Sequence, residues 1–132
     1  MPEFSIVLHR NIPKLTAKVP GKAIAGAEPL LQRLARKLQV VPLTEFHSQS
    51  PDEAARKMKA SGIDVAGIDL PAETWYAPIQ GLQTVSAFRE YLADHPATLP
   101  NTDDVVAELD AWHDVLTKAT AEHVAWHLSI EF

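Results

Sequence analysis

The sequence predicts an α+β domain in which a small sheet contains the N- and C-terminal strands and about four helices cover one face of that sheet. Three observations lead to this prediction. Apolar and polar residues alternate near both ends of the chain, weakly in FSIVLH (4–9) and clearly in VAWHLSIE (124–131). Between these segments, apolar residues recur at helical spacing. The length of 132 residues is sufficient for one core, so we expect a single domain over 1–132.

The alternation determines which side chains share a face of the sheet, because every second side chain of a strand points to the same side. If segments 4–9 and 124–131 pair, the helix-covered face holds Phe4, Ile6, Leu8, Val124, Trp126, Leu128 and Ile130. The opposite, polar face then holds Ser5, His9, His127, Ser129 and Glu131.

The segment GKAIAGAEPLLQRLARKLQV predicts an amphipathic helix, with leucines at 30 or 31, 34 and 38. Two starting points are open. Pro29 can be the first helical residue, or the helix can begin near Lys22 and bend at Pro29, which we favour. The following VPLTEF predicts a short strand or an extended link.

The next helix has a well-marked start in SPDE, with Ser50 as the N-cap, Pro51 in the first turn and Glu53 in the third position of a capping box. We expect it to run to about Ala60 and to end at Gly62 in a left-handed conformation. GIDVAGIDL predicts a brief strand or a pair of turns, and PAETWYAPIQG predicts an ordered loop packed by its aromatic residues.

Two further helices precede the last strand. The first contains Leu82, Val85, Phe88 and Leu92 and stops before Pro96. The second begins at an N-cap on Asn101 or Thr102. Its apolar residues step by four, three, four and three: Val105, Leu109, Trp112, Leu116 and Ala119. This spacing is typical of an amphipathic helix.

The composition excludes several classes of protein. The chain has no cysteine, so thiolate chemistry, thiolate metal sites and disulfides are excluded. It has no signal peptide pattern and no long apolar run, so we expect a cytoplasmic protein without a membrane partner. The net charge of −5 is divided unevenly, with +4 on residues 1–66 and −9 on residues 67–132. An acidic chain whose basic loop (10–22) lacks aromatic residues argues against nucleic acid binding.

Catalytic motifs are missing from the sequence. PGKA lacks the earlier glycine and the Ser/Thr of a phosphate-binding loop, and no G-x-S-x-G nucleophile motif occurs. His123 and His127 have the H-x-x-x-H spacing of zinc helices, but Val124 replaces the catalytic glutamate. On a strand their backbones lie roughly 13 Å apart, too far to share one ion. We therefore predict no metal and no cofactor, although a site built from His9, His127 and a third histidine stays open.

Five residues are candidates for a functional site. His9 or His127 can act as an acid or base with Glu131 orienting the ring, because all three are predicted on the polar face of the sheet. Trp75 and Tyr76 lie in a loop bounded by prolines, where aromatic side chains either anchor a binding partner or fix the loop to the core.

Two segments resemble a known group of proteins. WYAPIQGLQTV and the terminal WHLSIEF are similar to the W-[FY]-x-P-x-x-G-L-x-T-V and W-H-L-x-[IV]-[DE]-F segments of small uncharacterised bacterial proteins. GKAIAGAEPLLQRLARKL also resembles the first helix of that group. The resemblance covers most of the chain and implies a single bacterial domain.

These observations favour a non-enzymatic protein-binding or regulatory domain that pairs with another protein or with itself through its charged faces. The alternative is a small enzyme or ligand-binding protein that uses the His/Glu polar face of the sheet. A deep pocket beside these histidines would favour the alternative, and a flat exposed sheet would favour the binding domain.

Overall fold

The computed structural model describes residues 3–15, 19–64, 66–67, 70 and 72–131, and its architecture confirms the α+β class. Within these ranges, five α-helices lie between two strands. The strands are β1 (Glu3–Leu8) and β2 (Trp126–Glu131). The helices are α1 (Lys22–Gly26), α2 (Glu28–Leu38), α3 (Pro51–Ala60), α4 (Pro78–Asp94) and α5 (Thr102–Ala121). Two short 3-10 turns span Leu43–Phe46 and Pro96–Thr98.

The two strands pair as predicted. They form an antiparallel sheet in which Phe4 lies opposite Ile130 and Leu8 lies opposite Trp126. Phe4, Trp126 and Leu128 are buried in one core with the helices. The predicted division of the strands into a helix-covered face and an opposite face is therefore confirmed.

Helix α5 is the central helix of this core. Its predicted apolar positions are all withdrawn from water: Val105, Leu109, Trp112, Leu116 and Ala119. The indole Nε1 of Trp112 donates a hydrogen bond to the carbonyl of Pro20 at 2.8 Å, which ties the loop before α1 to α5. Helix α4 packs beside α5, and its Gly81 lies directly under the Trp126 ring. A Cβ atom at Gly81 would collide with that ring, so α4 can approach β2 closely only because this position is glycine.

The first helical segment begins at Lys22, as favoured, but it breaks at Ala27, whereas a continuous helix with a bend at Pro29 was expected. Pro29 lies in the first turn of the second helix, α2. Proline lacks the N–H that would continue the hydrogen-bond ladder, and its ring clashes with the carbonyl four residues earlier. The chain therefore ends one helix and begins another at this point.

The segment VPLTEF forms a 3-10 turn over Leu43–Phe46, whereas a strand or an extended link was predicted. Positions three apart lie on the same side of a 3-10 turn, so Leu43 and Phe46 are both buried. The capping box before α3 is confirmed on one side, since the Glu53 N–H donates to Ser50 Oγ at 3.2 Å. Gly62 follows α3 with φ +82°, the left-handed conformation that was predicted. The prediction for GIDVAGIDL lies partly outside the described residues, which show a turn at 66–67.

Candidate functional site

The polar face of the sheet is covered only in part, since His9 and Glu131 are exposed. His127 is only 1% exposed and Ser129 only 4%. Two segments lie along the outer edge of β2. Ser48 N–H donates to the Leu128 carbonyl at 3.1 Å, and Tyr76 exchanges two backbone hydrogen bonds with Trp126, at 2.8 and 3.0 Å. These segments bring their own side chains over the polar face, so it is not the flat exposed surface considered above.

His127 contacts a carboxylate that was not among the predicted residues. Its Nε2 lies 2.7 Å from Oε2 of Glu73, and its Nδ1 lies 3.2 Å from the Leu128 carbonyl oxygen. Glu131, predicted to orient the histidine, instead accepts a hydrogen bond from the Ser129 hydroxyl at 3.1 Å. Both ring nitrogens of His127 thus face acceptors, and an imidazole protonated on both nitrogens can donate to both.

Trp75 links the two predicted histidines. The centroid of the Trp75 ring lies 4.5 Å from that of His127. His9 packs edge-on against the Trp75 ring, with a centroid distance of 4.8 Å. We call His9, Glu73, Trp75 and His127 the His127 cluster. Tyr76, the neighbour of Trp75, packs its ring edge-on against Phe46 at 5.5 Å. The structure therefore assembles three of the five predicted site residues, while Tyr76 joins the core side and Glu131 lies apart.

A third histidine, His47, and a lysine, Lys57, border this cluster. The pKa of His47 lies below its ordinary value because the side chain is partly buried, and the positive charges of Lys57 and of a protonated His127 lower it further. Glu53 opposes these effects. The ammonium of Lys57 donates to Gln49 Oε1 and to the Ile130 carbonyl, each at 3.2 Å. A fixed cation therefore lies beside the end of β2.

Sequence reasoning missed Glu73, His47 and Lys57 as neighbours of His127. Glu73 is 54 residues away in the chain, and no local pattern connects the two positions. The only signal that could have pointed to Glu73 was its place next to the aromatic pair at 75–76 in a loop already considered for binding.

The histidines do not converge on a shared ion. In the part of the chain that the structure describes, no group of three or more His, Asp or Glu residues is arranged to hold a metal. His9 and His127 each pack against the Trp75 ring, at centroid distances of 4.8 and 4.5 Å. His123 lies in a turn before β2, with φ +54°. The strand spacing considered above for His123 and His127 therefore does not apply, because His123 is not part of the strand.

The exposed side of α5 carries a row of acidic residues that we call the acidic stripe. It consists of Asp103, Asp110 and Asp114, with Ala107 between the first two. These positions are spaced four, three and four apart and lie on the opposite side of the helix from its buried residues. Asp110 also accepts a hydrogen bond from Arg89 Nε of α4 at 2.7 Å. The stripe extends about 16 Å along a helix whose other side is fixed in the core.

Among the helices that the structure describes, none is both long enough and apolar enough to cross a membrane. The resemblance to small bacterial proteins stays a prediction. In comparisons with protein-family models, with curated proteins and with solved structures, no match to the chain was found.

Proposed function

We propose that the protein is a non-enzymatic binding domain whose acidic stripe docks onto a basic surface of a partner protein. The observation that carries this proposal is the position of three aspartates on the exposed side of one long helix. The opposite side of α5 is buried, so the aspartates are presented on a rigid element.

Charge supports this proposal in two ways. Residues 67–132 carry a formal charge of −9, which attracts a basic partner before contact and increases the rate of association. In the ion pair of Asp110 with Arg89, Asp110 is exposed and Arg89 is partly exposed, and such surface pairs contribute only about 0–1 kcal/mol to stability. Exchanging this pair for contacts with a partner therefore costs little.

The burial of His127 argues against catalysis in the observed conformation. A general acid or base must come within hydrogen-bonding distance of its substrate. His127 is 1% exposed, and Trp75 covers its ring. A substrate reaches the ring only if the segment 72–76 moves away from β2.

The experiment compares two variants of equal charge. The first, Asp103→Asn/Asp110→Asn/Asp114→Asn, neutralises the acidic stripe. The control, Glu45→Gln/Glu90→Gln/Glu122→Gln, neutralises three exposed carboxylates elsewhere. Each is used to capture proteins from the source cells, and any captured protein is purified and titrated by calorimetry. We expect a partner that binds wild type and control equally and the stripe variant at least about tenfold more weakly, since two or three charge pairs are lost.

Equal affinity of the stripe variant and the control would contradict the proposal. So would binding that is insensitive to salt between 50 and 300 mM, because exposed charge pairs are screened in this range.

The contact between Glu73 and His127 favours a second candidate, acid–base catalysis at the His127 cluster. At 2.7 Å from Nε2 of His127, Glu73 is placed to orient the ring. If a screen finds turnover, Glu73→Gln and His127→Ala must both abolish it while circular dichroism shows a retained fold. Turnover that survives either change would exclude this candidate.

A further inference from the structure

A groove between α1 and α5 opens beside the acidic stripe. Its volume is about 670 Å³. The lining residues are Lys22, Ala23, Gly26, Pro100, Asn101, Asp104, Ala107 and Glu108. Ala107 belongs to both the groove and the stripe, so a partner that covers the stripe also lies over the groove.

The floor of the groove is made of small residues. Ala23 and Gly26 of α1 and Ala107 of α5 are among its lining residues. A Cβ atom built on Gly26 would have no other atom within 4 Å, so the space above this position is open. A floor of this kind suits the aliphatic part of a long side chain, which packs on apolar surface while its charged end stays polar.

The rim of the groove contains two carboxylates with different roles. Glu108 accepts hydrogen bonds from the N–H groups of Ala23 and Ile24, at 3.1 and 2.9 Å. It thereby caps α1, whose N-cap residue Gly21 has no side chain to do so. Asp104 is exposed and, among the described residues, receives no hydrogen bond from another side chain. Asp104 is therefore the carboxylate that can accept a new donor.

The sign of the charge at the groove favours a cation. The N-terminal end of α5 contributes about +0.5 elementary charge, but Asp103 and Asp104 in its first turn contribute two full negative charges. On the rim, one ammonium from Lys22 faces the carboxylates of Asp104 and Glu108. A guanidinium or an ammonium group carries the sign of charge that fits this groove.

We propose that the groove receives an arginine side chain of the partner protein, with its guanidinium on Asp104 and its aliphatic part on Ala23, Gly26 and Ala107. This inference rests on the proposed function and specifies what the partner presents. Arginine fits better than lysine because its planar group donates two parallel hydrogen bonds to one carboxylate. Six of the eight lining residues are exposed, so the groove is shallow. A small molecule would stay largely in water there, whereas a protein surface covers the groove from above.

The test uses N-acetylarginine amide as the probe and the uncharged citrulline analogue as its isosteric control. Titrations are followed by amide chemical shifts of the isotope-labelled full chain at low salt. We expect shifts at Ala23, Gly26 and Ala107 with the arginine probe and none with citrulline. Asp104→Asn should weaken binding about tenfold, as one charge-assisted pair is lost. Gly26→Leu should abolish binding by filling the groove, and its open surroundings allow the protein to fold.

Asp114→Asn is the matched control for Asp104→Asn, since it removes the same charge from the stripe outside the groove. It should leave probe binding unchanged. Shifts that spread evenly over Asp103, Asp110 and Asp114 and persist in Gly26→Leu would overturn the inference while leaving the acidic stripe as a binding surface. The absence of any shift up to high millimolar probe would also overturn it. If the probe binds in the groove but the stripe variant still binds the partner with full affinity, the proposed function fails while the groove remains a binding site.

Discussion

His127 is a polar side chain almost wholly withdrawn from water. The stability of the folded protein therefore depends on the acceptors around the His127 ring. Removing the Glu73 carboxylate in Glu73→Ala leaves Nε2 of His127 without its partner beneath Trp75. We expect the free energy of unfolding to fall by about 1–3 kcal/mol, the usual cost of an unpaired buried polar group. The Glu73 side chain is 29% exposed, so water can enter the space that the carboxylate leaves and hydrogen-bond to His127. The expected value is therefore at the lower end of this range. Urea unfolding measures the change.

Glu90→Ala is the control for this substitution, because Glu90 is an exposed glutamate on α4. Its effect should stay within about 0.5 kcal/mol. If both variants unfold at the same urea concentration, the Glu73–His127 contact contributes nothing measurable to stability.

The lowered pKa of His47 predicts that the stability of the protein depends on pH. Burial, Lys57 and His127 lower its pKa in the folded protein below the unfolded value of about 6.5. The unfolded chain therefore binds a proton at a pH where the folded protein does not. The contribution of His47 to stability is complete above about pH 6.5 and is lost as the pH falls through the lowered pKa.

The measurement is urea unfolding of wild type and His47→Gln between pH 8 and pH 5. Glutamine does not titrate, so wild type should lose more stability than the variant as the pH falls below about 6.5. Ionisable groups that do not interact with His47 behave alike in both proteins, so their contributions cancel in the difference. Parallel curves would show that the pKa of His47 is the same in the folded and unfolded states.

At the scale of elements, two glycines make a matched pair. Gly81→Ala places a methyl group against the Trp126 ring, so α4 must move away from β2. We expect a loss of about 1–3 kcal/mol, as for other overpacked cores. Gly26→Ala at the end of α1 meets open space and should raise stability by up to about 1 kcal/mol, because alanine is the better helix former. Thermal unfolding of the two variants tests the pair, and shifts of the same sign would contradict it.

Elements with a repeated period were predictable from the sequence, and elements that depend on one local interaction were less so. The steps of four and three in α5 involve five apolar positions, and the alternation over 124–131 involves four, so single exceptions do not obscure them. At Leu43–Phe46, four residues could equally be extended, and only the burial of both apolar side chains selects the 3-10 turn. Pro29 allowed either a bend or a break, and the sequence contains nothing that decides between them.

The candidate site was predictable only in part, for a related reason. Strand alternation placed His9 and His127 on one face, and a count of charges identified the acidic half of the chain. The contact of Glu73 with His127, and the groove between α1 and α5, join residues that are 54 and about 80 positions apart. Such contacts follow from how the elements pack, and spacing along the chain does not encode them.

For the whole molecule, β2 is expected to be indispensable. A chain that ends at Ala125 lacks Trp126 and Leu128, both fully buried. Losing two such side chains costs about 5–10 kcal/mol, which is comparable to the entire stability of about 5–15 kcal/mol of a typical domain. We expect this truncated chain to show no cooperative thermal transition, and an excess of the peptide 126–132 to restore one. A cooperative transition without the peptide would mean that the helices form a stable core alone.

The pairing of β1 with β2 also determines the order of events during synthesis. Leu8 lies opposite Trp126, so about 120 residues must form a closed loop before the sheet exists. Closing a loop of this length costs on the order of 4 kcal/mol in chain entropy if nothing inside it has folded. Domains with such distant pairings fold slowly compared with helical bundles. On the ribosome, the helices emerge before β2, so the apolar sides that β2 covers are exposed until that strand is synthesised and pairs with β1. A chaperone can bind these apolar sides during this period.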